Sequence, residues 1–129
     1  MRLTKLSPRK VLNKAYLKEK VKQSDIDLFK VNLKGLMESL DRPEHEEHLK
    51  NEVTTFLYDT YYKGINKVNT KGRIDLAIYE ESKPVVLIEA KRPGAAEMVT
   101  QDDLNKKALH ELILYYLQER IDHNNTDIK

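Results

Sequence analysis

Apolar residues recur three or four positions apart in four stretches of the chain, a spacing that puts them on one face of a helix. Residues that favour helix starts precede three of these stretches: Ser7-Pro8, Ser24 and Pro43. The pattern therefore predicts helices over residues 8–20, 25–40 and 43–61, and a last helix, capped by Thr100 and Asp103, that ends near Ile121.

Between the third and fourth helices the spacing changes to that of β-strands. Residues 73–79 and 85–90 are apolar runs rich in β-branched side chains, and turn-forming residues separate them. They predict a β-hairpin, preceded by a short strand near Ile65 and Val68. The final residues, 122–129, show no pattern that predicts structure.

Pairing the two runs so that residue numbers sum to 164 closes the hairpin with a three-residue loop, Glu81 to Lys83. Asp75 then stands opposite Glu89, and Lys91 lies on the same face because side chains alternate along a strand. Both faces are apolar in their middles, so helices should cover the sheet on both sides. The prediction is an α/β fold with helix, sheet and helix layers.

Two carboxylates directly opposite each other repel unless a cation lies between them. Lys91 is one candidate, and Mg²⁺, which prefers oxygen ligands, is the other. With a metal present, Lys91 can orient or deprotonate a water or stabilise developing negative charge. An ordinary buried ion-pair cluster explains the same three residues equally well.

The third predicted helix carries another misplaced charge. Projected at about 100° per residue, Glu46 lies on the side that also holds the apolar residues, so its carboxylate points toward the core. It is therefore a further candidate for the same site.

Composition limits the possibilities. The 129 residues are enough for one domain, and the absence of cysteine excludes disulfides and thiolate metal sites. The longest apolar run, Leu112 to Leu117, is too short to span a bilayer, so we expect no membrane association and a soluble cytoplasmic protein.

The net charge of +2 is unevenly distributed. Residues 1–34 hold ten Lys and Arg against three Asp and Glu, and residues 63–94 hold seven against four. Two basic segments can thus meet a polyanion, although solvated lysine-rich surfaces give the same pattern. Lys71, Arg73 and Arg92 flank the predicted site and are the best candidate phosphate contacts; charge balance around the carboxylates is their alternative role.

The spacing of the charged residues resembles a known motif. Ile74-Asp75, followed after thirteen residues by Glu89-Ala90-Lys91, is similar to the active-site motif of the PD-(D/E)XK nuclease superfamily, with isoleucine in place of proline. The stretches LSPRKVLNKAYLK, NTKGRIDLAIY, LIEAKRP and LHELILYYLQERI resemble the N-terminal nuclease region of type IIG restriction enzymes, and type I restriction subunits carry a similar region.

The resemblance implies a restriction-endonuclease-like core with a central mixed sheet. Residues 1–41 would form an N-terminal helical extension and residues 42–129 the catalytic core of a single nuclease domain. The family core has a further strand after the last helix, so this chain is expected to be a fragment of a longer enzyme. A methyltransferase and specificity region would lie in the same polypeptide.

The resemblance also implies site roles. Asp75, Glu89, the carbonyl of Ala90 and Glu46 would bind Mg²⁺, which Mn²⁺ can replace, and Lys91 would serve the hydrolytic water. The function implied is Mg²⁺-dependent hydrolysis of double-stranded DNA in a restriction-modification system. A catalytically inactive DNA-binding or scaffolding module with the same fold is the alternative.

One part of the family pattern has no counterpart here. Some members carry Gln and then Tyr on the helix after the motif. In this chain that region holds His110, Glu111 and Tyr115 instead, so the roles of these three residues stay open.

Overall fold

The computed structural model describes residues 6–40 and 45–128. The predicted helix break at Arg42-Pro43 lies outside the described residues. Within them, no helix combines the length and the apolar character needed to cross a membrane.

Four helices precede and follow a small sheet: α1 (Pro8–Val11), α2 (Gln23–Leu40), α3 (Glu46–Leu57) and α4 (Lys107–Leu117). A single 3₁₀ turn occupies Tyr16–Lys18, and π-helical turns extend α3 over Tyr58–Tyr62 and α4 over Gln118–Asp122. Three of the four predicted helices are therefore present.

The first predicted helix, 8–20, is wrong beyond its first turn. The backbone is extended at Leu12 and again at Glu19, with ψ near 140° and 133°. The side chain of Asn13 accepts a hydrogen bond from the backbone N–H of Ala15 at 3.0 Å, a local turn that competes with helix formation. Every residue from 6 to 22 is exposed, so no packed face stabilises a longer helix.

The second predicted helix is confirmed as α2, which begins two residues early. Ser24 lies inside the helix and its hydroxyl donates to Asp25, so the expected N-terminal cap does not form. Phe29 packs edge-on against Phe56 of α3, with ring centroids 6.1 Å apart. The amide of Asn32 donates to the Thr60 hydroxyl at 3.1 Å, and these contacts hold α2 against α3 and its π-helical turn.

The sheet has three strands in the order β1 (Lys67–Lys71), β2 (Ile74–Glu80) and β3 (Lys83–Ile88). The predicted short strand is present as β1, but Ile65 lies outside it and is exposed. Both pairings are antiparallel. The mixed sheet that was expected is thus not seen in the described part of the chain.

The predicted hairpin register is confirmed over the half that leads to the site. Leu76 pairs with Ile88, and Ala77 with Leu87, both with numbers summing to 164. Past Ile78 the register shifts by one residue, and Glu80 pairs with Lys83. The closing turn therefore has two residues, Glu81-Ser82, instead of the expected three, and Glu81 adopts a left-handed φ of 55°.

Both faces of the hairpin are covered, as predicted. Leu76, Ala77 and Ile78 are consecutive, so they alternate between the two faces, and all are at most 4% exposed. Helix α3 contacts β1 and β2, and α4 contacts β3. One core cluster joins sheet, helix and tail: Ile74, Ala77, Leu87, Tyr115 and Ile128.

The C-terminal part departs from the prediction at two places. Thr100 and Asp103 bond to each other in a turn, but α4 begins only at Lys107. Residues 123–128, the described part of the tail, form no helix or strand, yet Asn125 and Ile128 are buried. The amide of Asn125 donates to the carbonyl of Pro84 at 2.8 Å, so the tail packs against the start of β3.

Candidate metal and phosphodiester site

The hairpin brings Asp75 and the segment Glu89-Ala90-Lys91 together. Asp75 is the second residue of β2, and Glu89 directly follows the last residue of β3. The backbone N–H of Ala90 donates to Asp75 Oδ2 at 3.0 Å, which fixes one carboxylate oxygen against the opposite strand. The register of 164 places Asp75 opposite Glu89, one step beyond the last paired residues, Leu76 and Ile88; the hydrogen bond itself is with the next residue, Ala90.

Lys91 joins two carboxylates. Its ammonium donates a hydrogen bond to Glu89 Oε1 and lies 3.4 Å from Glu111 Oε2 on α4. The Lys91 side chain is 11% exposed and that of Glu89 is 6% exposed. Burial lowers the pKa of Lys91, but the bond to Glu89 and the nearby negative charges raise it above its usual value. Lys91 is therefore a cation at neutral pH.

Lys50, on α3, is the second internal cation of the site. Its ammonium lies 2.7 Å from Asp75 Oδ1 and 3.4 Å from Glu46 Oε1. The hydrogen bond to Asp75 is the main reason that the pKa of Lys50 is raised, against an opposing effect of burial. Sequence reasoning missed Lys50, although it follows Glu46 by four residues and must share its helix face.

The site holds more negative than positive charge. Four carboxylates surround two ammonium groups: Glu46, Asp75, Glu89 and Glu111 around Lys50 and Lys91. Lys107 reaches Glu111 at 3.6 Å from the exposed rim. The six inner groups thus carry an excess of two negative charges when ionised, which one divalent cation would neutralise.

Glu89 has an oxygen available for a ligand. Its Oε2 atom, like Oε2 of Glu111, is buried and has no hydrogen-bond partner among the described residues. Burial is the largest cause of a raised pKa at Glu89, and the charges of Asp75 and Glu111 add to it. A buried acceptor without a donor is costly, and a cation would satisfy it.

The site offers few side chains that could coordinate a metal ion. Across residues 6–40 and 45–128 no three His, Asp or Glu side chains converge closely enough to hold an ion. Mg²⁺ needs only one or two protein carboxylates, since water and substrate phosphate complete its coordination. Asp75 and Glu89 fit that requirement, provided that Lys50 yields its place beside Asp75.

Residues 6–129 match a family model described as a domain of unknown function, DUF7149. The chain belongs to the DUF7149 family. Searches of curated proteins and of solved structures gave no match. For this DUF7149 chain, function is therefore inferred from the geometry of its own side chains.

The three predicted phosphate contacts lie in different surroundings. Arg73 is exposed and lines a cleft beside Asp75. Arg92 is exposed in the loop that follows Lys91. Lys71 instead makes a close ion pair with the buried Glu119. Within the DUF7149 chain, Arg73 thus shares a cleft with Asp75, whereas Lys71 is engaged by Glu119.

The three residues of the last helix whose roles were left open also lie in different surroundings. Tyr115 is buried in the core cluster, and His110 is exposed. Glu111 belongs to the site through Lys91, and the charge of Lys91 lowers its pKa against an opposing effect of burial. A signal for Glu111 was present in the sequence, since it lies four residues before the buried Tyr115 on the same helix side.

Proposed function

We propose that this chain is a Mg²⁺-dependent endodeoxyribonuclease domain of a restriction-modification system, with a restriction-endonuclease-like core. The observation that carries the proposal is the meeting of Asp75 with Glu89 and Lys91, next to a buried Glu89 oxygen that has no partner among the described residues. The motif Ile74-Asp75 and Glu89-Ala90-Lys91 supports it, because the resemblance assigns these residues the same roles.

Asp75, Glu89 and the Ala90 carbonyl would hold Mg²⁺, with Glu46 nearby through Lys50. When bound, the ion lowers the pKa of a coordinated water and screens the charge of the phosphate. Lys91, held by Glu89 and Glu111, can donate hydrogen bonds to the attacking water or to the oxygen that gains negative charge. The two carboxylates fix its ammonium in place, so no reorientation is needed during the reaction.

The substrate would be double-stranded DNA, whose backbone Arg73 and Arg92 can contact from the exposed rim. A methyltransferase and specificity region of the same polypeptide would choose the sequence that is cut, in the cytoplasm. This division of labour leaves the present chain with hydrolysis and non-specific phosphate contacts.

Isosteric variants test the proposal directly. Asp75→Asn, Glu89→Gln and Lys91→Gln should each reduce Mg²⁺-dependent nicking of supercoiled plasmid by about 100-fold or more, since even indirect partners of a metal site contribute 10–100-fold. The chain offers a matched control in a second Glu-x-Lys triplet, Glu81-Ser82-Lys83, whose three residues are exposed at the turn and the first position of β3.

Glu81→Gln and Lys83→Gln should leave nicking unchanged. Circular dichroism would establish that every variant is folded. Nicking at the wild-type rate by all three site variants would refute the assignment.

An inactive DNA-binding or scaffolding module is the second candidate. The pairing of Asp75 with Lys50 and of Glu89 with Lys91 favours it, because ion pairs alone can explain the buried charges. Calorimetric titration with Mg²⁺ and Mn²⁺ separates the two functions. DNA binding without any cation binding would support the module and contradict the nuclease.

A further inference from the structure

A cleft of about 280 Å³ opens between α3 and the turn that joins β1 to β2. This volume is many times the roughly 30 Å³ that one water molecule occupies in the liquid. Its polar lining comes from both elements: Lys50, Asn51, Thr54, Thr70, Arg73 and Asp75, with Glu47 as the remaining charged residue. The cleft therefore adjoins the candidate metal site through Lys50 and Asp75.

Two side-chain donors of this cleft, those of Asn51 and Arg73, have no partner in the described part of the chain. Lys50 is engaged only by carboxylates, Asp75 and Glu46. A guanidinium, an ammonium and an amide around one opening form a donor set that suits a phosphate group.

Lys50 and a metal ion would compete for Asp75. The ammonium lies 2.7 Å from Asp75 Oδ1, and Oδ2 already accepts the Ala90 N–H. A divalent cation bound to Asp75 would stand close to that ammonium, and like charges at such separations repel strongly. Lys50 has a long flexible side chain and a cleft beside it into which its charge can move.

We propose that Lys50 has two positions: it neutralises Asp75 when the divalent cation is absent, and it binds a backbone phosphate in the cleft with Arg73 when the cation is present. The inference rests on the proposed nuclease function for the choice of DNA as the polyanion. It makes Lys50 a substrate contact that couples phosphate binding to metal binding.

Lys50→Gln provides the first test, on the whole chain. With Ca²⁺ in place of Mg²⁺, fluorescence anisotropy should show about tenfold weaker binding of a DNA duplex, the loss expected for one charge-assisted hydrogen bond. With EDTA the variant and the wild type should bind equally, because Lys50 is then held by Asp75. Lys50→Arg should keep most of the Ca²⁺-dependent affinity, and Lys34→Gln, an exposed lysine of α2, should change neither value.

The affinity for the cation provides a second readout. Mn²⁺ should bind Lys50→Gln at least as tightly as the wild type, since the competing ammonium is gone. A merely structural role for Lys50 predicts the reverse, a loss of Mn²⁺ affinity together with a lower melting temperature. Equal loss of DNA affinity in Ca²⁺ and in EDTA would also overturn the proposal.

Asp75→Asn keeps the test decisive if Lys50→Gln does not fold. Removing the Asp75 charge leaves Lys50 only its longer pair with the partly exposed Glu46, so this variant should bind DNA in EDTA severalfold more tightly than the wild type. No gain in EDTA would contradict the two positions of Lys50. Absence of Mn²⁺ binding by the wild type would refute the nuclease proposal itself. If the wild type binds both Mn²⁺ and DNA and Lys50→Gln binds them equally well, only the Lys50 inference is refuted.

Discussion

Two buried glutamates, Glu89 and Glu119, each bond to a lysine, yet their surroundings differ. Glu119 Oε1 accepts hydrogen bonds from Lys71 and from His123 Nδ1, and Oε2 lies 3.5 Å from the Asn125 amide. Both of its oxygens are therefore engaged. Glu89 Oε1 accepts from Lys91, whereas Oε2 has no partner in the described part of the chain.

The pKa values of the two carboxyl groups move in opposite directions. Burial raises the pKa of Glu119, but the hydrogen bonds from Lys71, His123 and Asn125 outweigh it, and the net shift is downward. At Glu89 burial and the charges of neighbouring carboxylates outweigh Lys91, and the pKa rises. Glu119 is thus stabilised in its ionised form by the fold, whereas the surroundings of Glu89 disfavour its ionised form, a perturbation that is common at functional sites.

The largest expected difference is in cleavage. Glu89→Gln should reduce plasmid nicking by about 100-fold or more, since it removes a proposed metal ligand. Glu119→Gln should leave nicking nearly unchanged under conditions where the variant is folded, because Glu119 bonds to the β1 end and the tail. Nicking rates measured side by side at 20 °C check this, and loss of activity in Glu119→Gln alone would reverse the assignment of the two glutamates.

Substitution of Glu119 should lower the stability of the protein more than substitution of Glu89, the opposite of their order in cleavage. Glu119→Ala leaves the Lys71 ammonium without its acceptor, while Asn125 keeps the Pro84 carbonyl, and we expect the free energy of unfolding to fall by about 1–3 kcal/mol, the usual range for an unsatisfied buried group. Glu89→Gln keeps an oxygen acceptor for Lys91 and removes a buried carboxylate of raised pKa, so it should lower the free energy of unfolding less than Glu119→Ala does. A larger destabilisation by Glu89→Gln would show that Glu89 is the structural carboxylate.

The pH dependence of stability should separate the two residues by sign. The folded-state pKa of Glu119 is below the ordinary value of 4.5, so its contribution is present above pH 4.5 and is lost as pH falls through the lowered value. The destabilisation caused by Glu119→Gln should therefore shrink below pH 4.5.

The folded-state pKa of Glu89 is above 4.5, so the wild type loses stability as pH rises from 4.5 through the raised value. Glu89→Gln should lack this loss. Urea unfolding of both variants and the wild type between pH 3.5 and 8 measures both effects, and parallel curves for the three proteins would contradict them.

The smallest effect on stability is expected for His123, the exposed one of the side chains that bond to Glu119. His123 donates to Glu119 at 2.9 Å but its side chain is 58% exposed, so solvent weakens the pair. His123→Gln should change the free energy of unfolding by about 0.5 kcal/mol or less, in the range of exposed pairs. A change as large as that of Glu119→Ala would mean that the imidazole, and not Lys71, holds the carboxylate.

Local periodicity was enough to predict the hairpin part of the site. Strand side chains alternate, and a short hairpin pairs neighbours in sequence, so Asp75, Glu89 and Lys91 follow from a single register. The turn was wrong by one residue because the shift past Ile78 depends on the backbone at the Glu81-Ser82 turn. That error lies at the far end of the hairpin and leaves the site unaffected.

Helix packing could not be predicted in the same way. The stretch 8–20 has a helical pattern but no face to pack against, and it forms only one helical turn and a 3₁₀ turn. The tail has no pattern, yet Ile128 is buried in the core and Asn125 caps a strand carbonyl. Burial by distant elements decides both cases.

The sequence by itself determined the α/β composition, the hairpin register next to the site and the approach of Asp75 to the segment Glu89-Ala90-Lys91, because these depend on contacts between near neighbours in the chain. Only the tertiary structure decided that Lys50 pairs with Asp75, that Glu111 anchors Lys91, and that Lys71 is engaged by Glu119. Those pairs join residues 20 to 48 positions apart, and their partners are chosen by how α3, α4 and the tail pack on the sheet.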